Sequence, residues 1–377
     1  MKTKVVCVVL NNFTNDSRVL KEATSLAQNN YDVEVVALHE KGLKESENTS
    51  LFPISRLKLK TRNWSKSKPI QLLKYFEFFL IFVKRFRNAD IIHCNDLNTL
   101  PFGVFIKKIL NKKLKVIYDA HEYETERNGL SNKGRKVTFL LERFLIKYSD
   151  EVITVSNSIA DEYKRLYNIK KPSLVLNCPY FCELREDNLF REELGIRENQ
   201  KIFLYQGGLF KGRGIELLLK SFSNLSDNKN VIVFMGYGTL EETILEHSQN
   251  HRAIFFHKAV SPDVLLRYTS SADYGISLID DICLSYRYCL PNKFFEYIMA
   301  GLPIISSNLP EMKKIVEDHN IGIIAEQNTK NSFQKAVEAT LDLEYSHITK
   351  NLANVRREFC WEKQEKTLID TYNSLLN

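Results

Sequence analysis

The feature that most constrains this chain is an alternation, kept up along most of its length, of short apolar runs with longer helical stretches. Runs such as Val231-Ile232-Val233-Phe234-Met235 are apolar at every position. That is the pattern of a strand covered on both faces of a parallel sheet. Strands are expected at 4–10, 32–38, 90–93, 115–119, 151–155 and 173–176, and again at 202–205, 231–235, 254–257, 274–279, 303–306 and 322–325. Strands separated by helices make βαβ units, so the fold class is α/β, with a doubly wound, Rossmann-like sheet in each half. A chain of 377 residues has room for two such domains. The polar stretch 181–200 places the boundary, giving domains 1–182 and 183–359, with an amphipathic helix near 360–377 packing back on the first. Open α/β sheets bind ligands beyond the carboxyl ends of their strands, so the site is expected in an interdomain cleft.

Charge is divided unevenly. The whole chain carries +7, but residues 1–180 hold 31 basic and 19 acidic side chains (+12), and residues 181–377 hold 22 and 27 (−5). Residues 51–115 alone hold 15 basic groups against Glu77, Asp90 and Asp96. Such asymmetry speaks about partners, not about fold. The seven scattered cysteines read as reduced thiols, and residues 5–10 are too short for a signal h-region. Cys178 and Cys182 lack the further ligands of a zinc site. The longest apolar stretch, 75–83, is far shorter than the roughly twenty residues needed to span a bilayer. A cytoplasmic protein is therefore expected.

Three constellations carry chemistry. Tyr205-Gln-Gly-Gly-Leu-Phe-Lys-Gly-Arg-Gly214 follows a strand and precedes a helix, where glycine amides and the helix dipole suit an anion and Lys211 and Arg213 add full charges. Pro291 and Gly301 bound a short helix whose start carries Asn292 and Lys293, with Glu296 one turn on, placed to accept both hydroxyls of a ribose. Tyr118-Asp-Ala-His-Glu122 sets His121 at a strand end, and His93 in Ile91-Ile-His-Cys-Asn-Asp96 competes with it. The sequence contains no Asp-x-Asp, which disfavours metal-assisted sugar chemistry.

Together with Asn15-Asp-Ser-Arg-Val19, Asp150-Glu-Val-Ile-Thr-Val-Ser156 and Met235-Gly-Tyr-Gly238, these segments resemble the retaining glycosyltransferases of family four, which have the two-domain GT-B fold. The resemblance runs over nearly the whole chain. It implies transfer from a nucleotide-diphosphate sugar, UDP- or GDP-linked, without a metal or other cofactor. Gly208 stands where the family has an arginine and Arg213 where it has a lysine, with Lys211 supplying the missing charge. Glu296 matches the ribose-binding member of the family's glutamate pair, and Tyr288 falls on the other. The resemblance thus assigns His121, Lys211, Arg213 and Glu296 to the chemistry, and Gly207, Gly208, Gly236, Asn292 and Lys293 to the donor. Alanine at Lys211 or Arg213 is expected to cost about 10²–10³ in rate. The expected acceptor is a glycan or lipid-linked glycan of surface polysaccharide synthesis. The alternatives are an epimerase of the same fold and an inactive nucleotide-sugar-binding assembly protein.

The basic excess then points to the acceptor side. Residues 66–87 read as an apolar helix rimmed by Lys66, Lys68, Lys84, Arg85 and Arg87, suited to the anionic inner face of a membrane. The other reading is a core helix flanked by solvated lysines. Nucleic acid is not expected, because the aromatics are bunched apart from the charges.

Overall fold

The computed structural model describes residues 2–184, 187–224, 229–341 and 344–376. The chain divides into two compact units, Met1–Leu176 with Glu365–Asn377, and Asn177–Gln364. Residues 177–182, assigned from sequence to the first domain, thus belong with the second. Asn177 donates a side-chain hydrogen bond to Asn292 there, and the Pro179 carbonyl accepts from the Trp361 amide.

The first unit holds strands β1 (Lys4–Val8), β2 (Asp32–Leu38), β3 (Ser46–Asn48), β4 (Pro53–Leu57), β5 (Ile91–Asn95), β6 (Lys115–Ala120), β7 (Glu151–Thr154) and β8 (Ser173–Leu174). They form one sheet in the order β3-β4-β2-β1-β5-β6-β7-β8, parallel except for β3 against β4. The first five helices are α1 (Ser17–Gln28), α2 (Lys68–Phe86), α3 (Leu100–Phe105), α4 (Asn132–Leu145) and α5 (Asn157–Tyr167). α1 starts where the Asp16 carboxylate accepts from the Val19 amide at 3.2 Å, a side-chain cap. The second unit holds β9 (Lys201–Gly208), β10 (Asn230–Tyr237), β11 (Ile254–Lys258), β12 (Tyr274–Ser277), β13 (Ile304–Ser307) and β14 (Gly322–Ala325). These form a wholly parallel sheet in the order β11-β10-β9-β12-β13-β14. β10 is buried at every position but Tyr237, as its unbroken apolar run requires.

Every expected strand is present, with ends shifted by a few residues. β3 and β4 were not expected. β3 is Ser-Glu-Asn and exposed at each position, and β4 begins with proline and buries Arg56, so neither stands out by an apolar run. Arg56 is held by the Glu47 carboxylate at 2.7 Å and the Asn12 carbonyl at 2.9 Å. Among the described residues no helix is long and apolar enough to cross a membrane.

Candidate active site

In the second unit the site is built at the carboxyl end of β9. Gly207 lies in the left-handed region (φ +105°), and a Cβ on Gly236 would stand 1.9 Å from the Gly207 carbonyl oxygen. Glycine at both positions is what lets the ends of β9 and β10 run this close. The turn at 209–214 leads into the helix Ile215–Phe222.

Two cations meet beside this turn. Lys293, from the helix Asn292–Met299, is buried, and its Nζ lies 3.5 Å from the Tyr205 ring centroid. Arg213 stacks on Tyr286 at 5.7 Å. Among the described residues neither the Lys293 Nζ nor the Arg213 Nε has a hydrogen-bond partner. Burial pushes the Lys293 ammonium well below the usual lysine range, and the Arg213 charge pushes it further. Buried donors without acceptors, repelling one another, make a place prepared for an anion. Lys211 is exposed on the same turn, and Gly208 faces the Phe210 ring. Sequence proximity pairs Lys211 with Arg213; the structure pairs Arg213 with Lys293.

Glu296 is half-buried one turn beyond Lys293. Gln206 donates to its Oε2 at 2.5 Å and accepts from the Thr269 hydroxyl at 2.8 Å. The Gln206 backbone amide donates to the Tyr297 hydroxyl at 3.0 Å. Gln206 is thus a positioning residue that sequence reading missed, although its place at the end of β9 was a signal. Asn292 is exposed and accepts from Asn177 at 2.9 Å.

In the first unit the two competing histidines part company. His93 is fully buried in β5, hydrogen-bonded through Nδ1 to the Tyr372 hydroxyl at 2.7 Å. His121 keeps 20% of its side chain exposed at the end of β6. Its Nε2 meets Asp119 Oδ2 at 3.0 Å and Asn95 Oδ1 at 3.2 Å, and its Nδ1 lies 3.6 Å from Asp96. Burial works against the imidazolium, but Asp96 and Asp119 outweigh it and raise the group to about 10. Behind it, Arg18 donates from Nε and Nη2 to both Asp119 oxygens at 2.8 Å and from Nη1 to the Val175 carbonyl. Burial favours protonated Asp119, yet Arg18 and His121 hold it well below the usual carboxylate range.

Glu22, 3.1 Å from Arg18, is raised by burial to about 7 despite that contact. Glu22, His93 and Asp119 present ligand atoms within 4.8 Å of one another, but the cation these carboxylates face is the Arg18 guanidinium. Sequence reading also missed Glu124, a buried carboxyl raised to about 8 by burial and then by Asp96, against the pull of Arg127.

Two Rossmann-like sheet units, one of them bringing Arg213 of a glycine turn beside Lys293, have the architecture of the GT-B class. Solved structures bear out the fold. Sucrose-phosphate synthase from Thermosynechococcus elongatus superposes with a TM-score of 0.81 at 16% identity, over 100% of this chain and 99% of that one. Anabaena HepE in complex with UDP-glucose gives 0.73 at 11% identity, over 98% and 99%. Two family models match in tandem: one described as glycosyltransferase family 4 over residues 17–179, and one described as glycosyl transferases group 1 over 186–357. The chitobiosyldiphosphodolichol beta-mannosyltransferase of Candida albicans is 22% identical over an alignment that covers 89% of this chain and 79% of that protein. The chain belongs to the family-four glycosyltransferases, and it is a transferase.

Proposed function

We propose that this glycosyltransferase moves a sugar from a UDP- or GDP-linked donor to a glycan or lipid-linked acceptor, with retention at the anomeric carbon, in surface polysaccharide synthesis. The observation that carries the reading is the pair of buried, unpartnered cationic nitrogens on Lys293 and Arg213 beside the glycine turn. Glycosyl transfer builds positive charge on the sugar ring and negative charge on the departing diphosphate. Cations placed for that diphosphate stabilise it without reorganising during the reaction. Glu296, held by Gln206, is the ribose ligand, and the backbone at Gly207, Gly208 and Gly236 gives the donor close approach. Asn292 completes the donor side, Lys211 adds charge at its rim, and His121 keeps the contact with the donor sugar that the family resemblance gives it. The donor phosphate takes the acceptor proton, so no separate base is required. The absence of Asp-x-Asp from the sequence supports a reaction that needs no metal, and the family resemblance implies no other cofactor.

The HepE structure, solved with UDP-glucose, supports a nucleotide-sugar donor, and the chitobiosyldiphosphodolichol substrate in the Candida relative's name supports a lipid-linked acceptor. Work at the inner face of a membrane, through residues 66–87, is part of the same reading.

The test is incubation with a panel of UDP- and GDP-sugars, with and without lipid-linked glycan acceptors, in EDTA. Acceptor-dependent nucleotide release and a product whose anomeric NMR coupling matches the donor's are expected. Interconversion of donor sugars without acceptor would make the chain an epimerase, and binding without turnover an assembly protein. An inverted anomer would overturn retention while leaving the transfer.

A further inference from the structure

A helix on a sheet normally turns its apolar stripe inward. α4 does the reverse. Val137, Leu140, Leu141 and Phe144, spaced i, i+3, i+4, i+7, form one stripe, and it is exposed. The buried residues of this helix are Glu142 and Leu145. Glu142 accepts hydrogen bonds from the hydroxyls of Tyr118, Tyr163 and Tyr167 at 2.6, 2.7 and 2.6 Å. A buried carboxylate with three donors is costly to pull out of place. The rotation of α4 is therefore set by Glu142, and its apolar stripe is held outward.

The neighbouring helices repeat the pattern. α2 buries Phe78, Phe82 and Phe86 and exposes Leu72, Phe76 and Leu80, each more than half accessible. The π-helical turn after α3, Ile106–Leu110, exposes Ile109 and Leu110. α2, α3 and α4 make the crossovers β4→β5, β5→β6 and β6→β7, all in one direction along the sheet. Right-handed crossovers put all three on the same face. Ring contacts join them in series: Phe79 to Phe102 and Phe105 at 5.6 and 5.1 Å, and Lys108 over Tyr148, which touches Phe144 at 5.7 Å. Exposed cations stand around the apolar residues, among them Lys68, Lys84, Arg85, Lys133, Lys136 and Arg143. The one carboxylate within α4 is the buried Glu142. Half-exposed Trp64, just before α2, has the amphipathic ring favoured at bilayer interfaces.

We propose that the outward faces of α2, the 106–110 turn and α4 form a single docking surface for an anionic lipid bilayer, with α4 as its principal apolar element. Charge complementarity selects this occupant: a broad apolar face with a mainly cationic rim, on which Glu77 of α2 is engaged by the Lys60 and Thr61 amides, fits acyl chains beneath anionic headgroups. The inference deepens the membrane part of the proposed function, which rested on residues 66–87, and it moves the weight of the contact to α4.

The full-length protein is to be sedimented with 1:1 phosphatidylglycerol:phosphatidylcholine vesicles at 50 mM salt and with pure phosphatidylcholine vesicles. Binding to the anionic vesicles only, weakened at least tenfold in L140E/F144E, is expected. K133Q/K136Q, which leaves the apolar stripe intact and guards against a folding artefact, is expected to weaken binding by about fivefold for each lysine removed. Circular dichroism and nucleotide-induced thermal shifts check that each variant is folded. If the wild type does not bind, both this inference and the membrane part of the earlier reading fall. If L140E/F144E binds like the wild type while L72E/F76E does not, the inference about α4 falls and residues 66–87 remain. A concentration-dependent dimer lost in L140E/F144E, without vesicle binding, would show that a second copy covers the face and would overturn the proposal.

Discussion

Replacing Lys293 with methionine sets the stability of the donor site against its function. Methionine keeps most of the stem and removes the charge. In the ligand-free protein the ammonium is buried, has no hydrogen-bond partner among the described residues and is repelled by Arg213. An uncompensated buried charge costs several kcal/mol, and the Tyr205 ring returns about 2 kcal/mol of cation–π attraction. The ligand-free variant is therefore expected to be more stable than the wild type by about 1–3 kcal/mol. Its melting temperature rises by about 2–4 °C per kcal/mol.

Nucleotide works against that order. UDP or GDP at 100 times its dissociation constant stabilises the wild type by about 2.7 kcal/mol. Loss of one charged contact to the diphosphate weakens binding by about 100-fold, so the same concentration adds only about 0.4 kcal/mol to the variant. Differential scanning fluorimetry with and without nucleotide should show the variant's lead shrinking by about 2.3 kcal/mol, so that the two proteins exchange rank wherever the ligand-free lead is smaller than that. A variant that melts lower than the wild type without ligand, yet keeps the full nucleotide shift, refutes the assignment of Lys293 to an anion site.

Four further outcomes follow from the same structure. R213A should lose about 10²–10³ in rate, or about 2.7–4 kcal/mol of transition-state stabilisation, and K211A distinctly less; equal losses in steady-state assays would return Lys211 to the centre of the site. R18M strands the buried carboxylates of Asp119 and Glu22 and should cost about 3–5 kcal/mol in urea unfolding; a loss below 1 kcal/mol contradicts the network. Burial lifts Glu22 from 4.5 to about 7, so between those pH values the folded state keeps a proton that the unfolded chain has released. Its contribution to stability falls by about 3 kcal/mol as pH rises through that window, and E22Q should be flat there relative to the wild type. His121, raised to about 10, contributes stability that is complete below pH 6.5 and is lost as pH rises toward 10; an NMR titration of its ring with a midpoint below 7 would rule this out.

What the sequence made legible and what it hid divide along a physical line. Apolar periodicity reports a residue's need for burial, so the buried runs of β1, β5, β9 and β10 stand out, while the polar β3 and the arginine-bearing β4 do not. The turn 207–214 and the helix after Pro291 were readable because glycine and proline act locally; Gly301, at φ +74°, ends that helix as expected. The choice between His93 and His121 was not local. It depends on Tyr372, whose hydroxyl reaches His93 from a helix 279 residues further along the chain. The choice of Lys293 over Lys211 as the partner of Arg213 likewise depends on where a distant helix docks. α4 states the rule most sharply. Its sequence shows an apolar stripe at helical spacing, and periodicity alone would turn that stripe inward. Three tyrosine hydroxyls, from β6 and α5, claim Glu142 and turn it outward instead. Periodicity says which face is apolar; long-range polar contacts decide which face is inside. Where the two disagree, as in α4, the exposed apolar face is expected to have a partner, and the anionic vesicle experiment tests that expectation directly.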